Sequence, residues 1–154
     1  MIQRIQSIWL LISAISSGFM MNGAIINFIS KNGPKYVIGF SGICRIVDTG
    51  KEVIGGFVPL AALIIMILLI SVISIFLFKS RRVQKACAII IIAFSICLII
   101  MLAYSSIILM KNNNAELVPG IKMFLPLIIL LSGIFAFRGI SRDENLIKSY
   151  DRLR

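Results

Sequence analysis

The residues of this chain able to act as acids or bases near neutral pH are few. They are Asp48, Glu52, Glu116, Asp143, Glu144 and Asp151, and there is no histidine among the 154 residues. Without imidazole, a histidine general base and His-ligated zinc or haem are excluded. Asp143 and Glu144 are neighbours, and on a helix of 3.6 residues per turn adjacent side chains diverge by about 100° rather than converge on one ligand. Cys44, Cys87 and Cys97 show neither a disulfide framework nor a metal-ligand spacing. Cys87 and Cys97 would lie about 15 Å apart along a helix, too far to bridge. The expectation is a protein that is not an enzyme, with no catalytic, metal or cofactor-binding residues and no cofactor.

The stretch with an organised polar pattern is the last, SRDENLIKSYDRLR, residues 141–154. Ser141 and Glu144 fit an S-x-x-E capping box, in which the serine caps a backbone amide and the glutamate reaches back. Acids in the first turn and Arg152 and Arg154 in the last suit the helix dipole. Glu144 and Lys148 are spaced for an i,i+4 pair. Leu146, Ile147, Tyr150 and Leu153 fall on one face at helical spacing. So short a helix is marginal alone, and its apolar stripe needs a cover. Ser141, Glu144, Leu146, Ile147, Tyr150 and Leu153 are therefore the candidate partner-docking residues. Docking on protein is favoured over the lipid surface because the polar face mixes both signs of charge. Simple continuation of a preceding helix is the third possibility.

The elements that must position this tail are apolar. Hydrophobic residues make up 59% of the chain and charged ones 14%, against about 45–50% and 25% in soluble domains. Four runs approach the roughly 20 residues that cross a hydrocarbon core. They cover residues 5–25, 57–78, 86–110 and 123–140, and they have no ionisable residue in their interiors. The first is too long for the apolar core of a signal peptide and lacks a clean cleavage site. Trp9 near its start is a candidate interfacial anchor.

Of the 16 Lys and Arg, ten lie at the N-terminus, in the second connection and in the tail. Lys79, Arg81, Arg82 and Lys85 in KSRRVQK are the densest group, assigned to topology and lipid headgroups. By the positive-inside rule both termini are cytoplasmic, at the inner membrane of a bacterium. The net charge of +10 is read this way and not as a nucleic-acid surface.

In the outer loop, residues 26–56, the runs KYVIGF, CRIV and KEVI are β-prone, and KNGP and DTGK between them carry turn chemistry. A small antiparallel hairpin or meander is expected there, with Asn32-Gly33 and Thr49-Gly50 as turns, an irregular loop being the alternative. Within the spans, Ser13/Ser17, Ala14/Gly18 and Ser132/Ala136 are small-xxx-small pairs suited to close helix packing. Asn22 sits near the outer end of the first run, and Pro59 and Pro126 near the starts of the second and fourth, where proline is tolerated.

The start MIQRIQSIWLL and the end RGISRDENLIKSYDRLR resemble a family of small four-span bacterial inner-membrane proteins. That family is known as a domain of unknown function and is found mainly in Bacteroidetes. The resemblance implies location and architecture, transfers no site residues, and directs attention to the two ends. The expected fold is an all-α membrane protein in one domain, residues 1–154. It would be a bundle of four transmembrane helices with a β-hairpin-like outer loop and a short cytoplasmic C-terminal amphipathic helix. The expected function is a non-enzymatic accessory or scaffold subunit, or assembly factor, of an inner-membrane complex. Its partners would be the lipid bilayer and a membrane or cytoplasmic protein or a second copy, with no nucleic acid. A small oligomeric transporter or channel is the alternative, and it requires a continuous polar path between the helices.

Overall fold

The computed structural model describes residues 3–30, 35–40, 42–47, 50–77, 80–113 and 115–151. The first helix, α1 (Gln3–Met20), stops at a turn in which Gly23 takes φ 70°. A left-handed glycine just past a helix end is the usual way to close one. Asn22 therefore lies exposed in this turn, not in a span. The chain goes directly into β1 (Ala24–Ser30), β2 (Lys35–Gly39), β3 (Gly42–Val47) and β4 (Gly50–Gly56).

Helix α2 (Val58–Phe76) follows, with Pro59 in its first turn, where an amide donor is not needed. Then come α3 (Arg81–Asn113), β5 (Ala115–Val118), a 3-10 turn (Ile121–Phe124) and α4 (Leu125–Asp151). Three helical stretches are long and apolar enough to cross a membrane: Val58–Phe76, Arg81–Asn113 and Ile121–Glu144. The apolar part of α1, Gln6–Met20, is shorter.

Helix α1 packs on α2 and α4, and α3 packs on the same two. Small residues make these approaches close. Ser13 of α1 and Ser71 of α2 share a hydrogen bond of 2.9 Å with both side chains fully buried. Ser17, Ser132 and Ala136 are buried as well, so the pairs Ser13/Ser17 and Ser132/Ala136 lie inside the helix packing, while Ala14 and Gly18 are half-buried. Trp9 stacks on Phe135 of α4 with ring centroids 4.7 Å apart, which makes it a helix–helix contact.

Gly133 of α4 sits against α3 so tightly that a Cβ there would lie 3.1 Å from Ile92 Cγ1. Overpacking a filled interior costs about 1–3 kcal/mol. Gly133→Val is accordingly expected to destabilise the protein by about 1–3 kcal/mol in thermal melts in detergent, and unchanged melting would show that α3 and α4 are not held at this distance.

The five strands form one antiparallel sheet in the order β4-β3-β2-β1-β5. Strand β1, which lies between β2 and β5, comes from residues that read as the end of a span and the start of a loop. The edge strand β5 comes from the other connection on the same side. Phe28 lies opposite Tyr36, and Ile26 opposite Ile38, and all four are buried. Successive strand residues alternate faces, so the other face carries Ile29, Ile46, Val53 and Val118, all exposed. Helices α1 and α3 run into the sheet and α2 and α4 start from it, so the sheet sits at one end of the helices.

The tail differs most from expectation. Helix α4 is continuous from Leu125 to Asp151, so Ser141 is a helix-interior residue. The separate amphipathic C-terminal helix and its capping box do not form. A capping serine needs non-helical backbone, whereas an unbroken α4 brings Asp143 and Glu144 to partners on α1 and α3 (below). Likewise, the KSRRVQK connection is largely helix from Arg81 onward.

Candidate functional site

Polar side chains collect at the end of the helices opposite the sheet. Gln6 stands on the first turns of α1, a polar residue inside an otherwise apolar face, and it is buried at 5% exposure. Across from it, α4 carries Gly139 and, one turn later, Asp143. A Cβ on Gly139 would lie 3.0 Å from Gln6 Cγ, so the missing side chain is what lets the glutamine cross to α4. Gly139 thus serves as a slot within one continuous helix. Gln6 Nε2 then donates to Asp143 Oδ2 at 2.5 Å, joining residues 137 positions apart. Asp143 is buried at 7% exposure, and its Oδ1 has no hydrogen-bond partner.

The next residue, Glu144, turns to α3, where its carboxylate meets the Lys85 ammonium at 3.1 Å. That ammonium also lies 5.5 Å from the centroid of Phe137, within cation–π range. One position before Lys85, Gln84 is buried and donates to the backbone carbonyl of Ser74 in α2 at 3.4 Å. The Ser74 hydroxyl is buried with no hydrogen-bond partner. Side chains of α1, α3 and α4 and a backbone carbonyl of α2 thus form a polar seam, with one amide–carboxyl pair, one ion pair and one amide–carbonyl contact.

The chemistry open to this seam is that of a fastener. Its amides, Asp143 Oδ2, Lys85 and Glu144 are engaged in these contacts, which leaves Asp143 Oδ1 and the Ser74 hydroxyl. Among the described residues no three His, Cys, Asp or Glu side chains come together to hold a metal ion. The free cysteines Cys44 and Cys87 are half-buried and Cys97 is exposed.

The candidate residues from the sequence are partly reunited here. Lys85, assigned to topology, and Glu144, assigned to docking, form one ion pair. Arg81 and Arg82 occupy the first two positions of α3, half-buried and exposed; Lys79 lies outside the described residues. Ser141 is half-buried within α4. Leu146, Ile147 and Tyr150 fall on the α4 backbone with side chains outside the description, and Leu153 lies beyond it altogether. Sequence reasoning missed Gln6, Gln84 and Ser74. The available signal was a glutamine in each of two apolar-flanked stretches, MIQRIQSIWLL and KSRRVQK.

Comparison with curated proteins finds no match, and comparison with solved structures finds none either. The family comparison does match, and it runs through both partners of the seam, Gln6 and Asp143: the chain belongs to the family described as Domain of unknown function (DUF4293), whose model covers residues 2–153.

Proposed function

We propose that the protein is a non-enzymatic accessory or scaffold subunit of a bacterial inner-membrane assembly, multi-pass, with both termini cytoplasmic. In this reading α1 joins the other three helices as a fourth span. Its 18 residues reach about 27 Å at 1.5 Å per residue, close to the ~30 Å hydrocarbon core. The sheet would then stand on the outer side, and the polar seam and the end of α4 on the inner side.

One observation carries the reading. Five serines of the helices return their hydroxyls to their own backbone, Ser17 to Ala14, Ser95 to Ile92, Ser105 to Met101, Ser106 to Leu102 and Ser132 to Ile129, and Ser13 and Ser71 hydrogen-bond each other. Polar atoms satisfied in this way line no path. A transporter or channel needs an unbroken row of groups available to solute or water, and hydroxyls turned back on their own helix speak against one. What remains is a packed set of helices with a presented end, suited to holding a partner.

The test is a truncation placed with the seam in mind. Cutting at Ser141 would remove Asp143 and Glu144 and so undo contacts within the fold. A chain ending at Asn145 keeps them and removes residues 146–154. It is expected to insert into membranes as the full chain does and to lose its co-purifying proteins in a mild-detergent pull-down. Retention of the same partners would end the docking idea.

A further inference from the structure

Beneath the sheet, between α3 and α4, lies a half-open cavity of about 330 Å3. One wall is Ile99, Ala103 and Ile107, successive turns of one face of α3, and the facing wall is Pro126 and Leu127 of α4. Its roof is Ile26 of β1 and Leu117 of β5, so it exists only because the two connections pair. Its one polar side chain, Ser106, donates its hydroxyl to the Leu102 carbonyl at 2.7 Å and offers nothing to a polar ligand. The cavity opens between two helices long and apolar enough to cross a membrane, with Ile107 at 63% and Leu127 at 47% exposure on its rim.

The volume lies at the small end of the ~300–1,000 Å3 range of ligand pockets, enough for one aliphatic chain and not two. Two cations adjoin lining residues along the chain, Lys111 one helical turn past Ile107 and Lys122 just before Met123. Lys111 is exposed in the last turn of α3, and Lys122, beside the lining residue Met123, donates to the Asn22 carbonyl with one of its three hydrogens. Glu116, the acid between them, alternates with Leu117 and is directed to the other face of the sheet. We propose that this cavity is a lipid site: it holds one acyl chain of an anionic phospholipid from the leaflet on the sheet side, with the headgroup phosphate drawn to Lys122 and Lys111. The proposal rests on the membrane reading above and goes beyond it by naming a ligand.

Full-length protein in a non-ionic detergent, incubated with phosphatidylglycerol or phosphatidylcholine and weighed by native mass spectrometry, tests this. One phosphatidylglycerol per chain is expected, favoured about fivefold over phosphatidylcholine, the scale of one lysine at an anionic headgroup. Replacing both lysines, Lys111→Gln with Lys122→Gln, should abolish that preference. Ala103→Trp, which fills the cavity, should lower retention at least about tenfold, while Ile96→Trp, an exposed α3 position outside the lining, should leave it unchanged. If Ala103→Trp does not fold, Leu127→Trp fills the same space from the opposite wall and must give the same loss. Equal retention by the filled and unfilled proteins overturns the site, as does equal binding of both lipids in several copies. Alkaline carbonate extraction separates the two claims. A chain released into the supernatant defeats the membrane reading, whereas a chain that pellets and binds no lipid defeats only the site.

Discussion

Gly42→Ala is expected to cost about 3 kcal/mol or more, the largest effect of any single methyl added to this chain. Gly42 opens β3 opposite Gly39 and Gly56, and its φ is 135°, a conformation that L side chains rarely adopt and that costs about 1–3 kcal/mol when forced. Space is the harder constraint. A Cβ would lie 2.1 Å from the Gly55 carbonyl oxygen and 2.9 Å from the Phe57 amide nitrogen. Both are backbone atoms, and no rotamer change can move them aside. The β3–β4 register beside Gly42 would have to break, and with it the lead into α2. Gly55→Ala is the control: a Cβ there meets nothing within 4 Å, so it should melt within about 0.5 kcal/mol of the parent protein, as surface changes do. Thermal unfolding in detergent, with limited proteolysis of the sheet, measures both. Equal melting of the two variants would mean that the close β3–β4 approach does not exist.

The second large effect belongs to the seam. Gln6→Leu removes the one donor to Asp143 and leaves both carboxyl oxygens buried without a partner, since Oδ1 already has none. A buried polar group stripped of its hydrogen bond costs about 1–3 kcal/mol, and more if charged, so about 2–3 kcal/mol is expected. The double variant Gln6→Leu/Asp143→Leu removes the stranded group as well and should recover at least half of that loss, because replacing both partners by apolar groups is close to neutral. Strictly additive costs, within about 0.5 kcal/mol, would show that the two residues do not interact. The ion pair beside them should matter less. Lys85 and Glu144 are 33% and 23% exposed, and partly solvated pairs contribute about 0–1 kcal/mol.

Much of the helical layout was legible before any coordinates. The second run, 57–78, differs from α2 by a residue or two at each end, because Phe57-Val58-Pro59 opens it and charge closes it. KYVIGF, CRIV and KEVI became β2, β3 and β4. β1 was hidden because AIINFIS is as apolar as the helix before it, and a short apolar run does not distinguish strand from buried helix. Asn22-Gly23 was the available break. β5 is four residues between an asparagine run and a proline, too short to carry a period, and it is a strand because β1 offers it an edge. The turn before Gly42 carried no such signal, because Gly39 and Gly42 stand at the paired strand ends whereas the favoured two-residue hairpins place glycine inside the loop.

The tail teaches the opposite lesson. Ser141, Glu144 and the charges around them satisfy every local rule for a new helix start, and the capped helix does not form. Local capping contributes about 1 kcal/mol, less than the combined contacts of Asp143 to Gln6 and Glu144 to Lys85 that an unbroken α4 permits.

The amino-acid sequence by itself determined that this protein is built from long apolar helices with a small antiparallel sheet in their longest connection. Those features follow from composition and periodicity, which act residue by residue along the chain. Only the tertiary structure decided that the two connections on one side share a sheet, that a cavity lies beneath it, and that Gln6 reaches Asp143. Each of these depends on groups about 90 to 137 residues apart meeting in space, and no local pattern records which distant partner will satisfy a buried polar atom or an open strand edge.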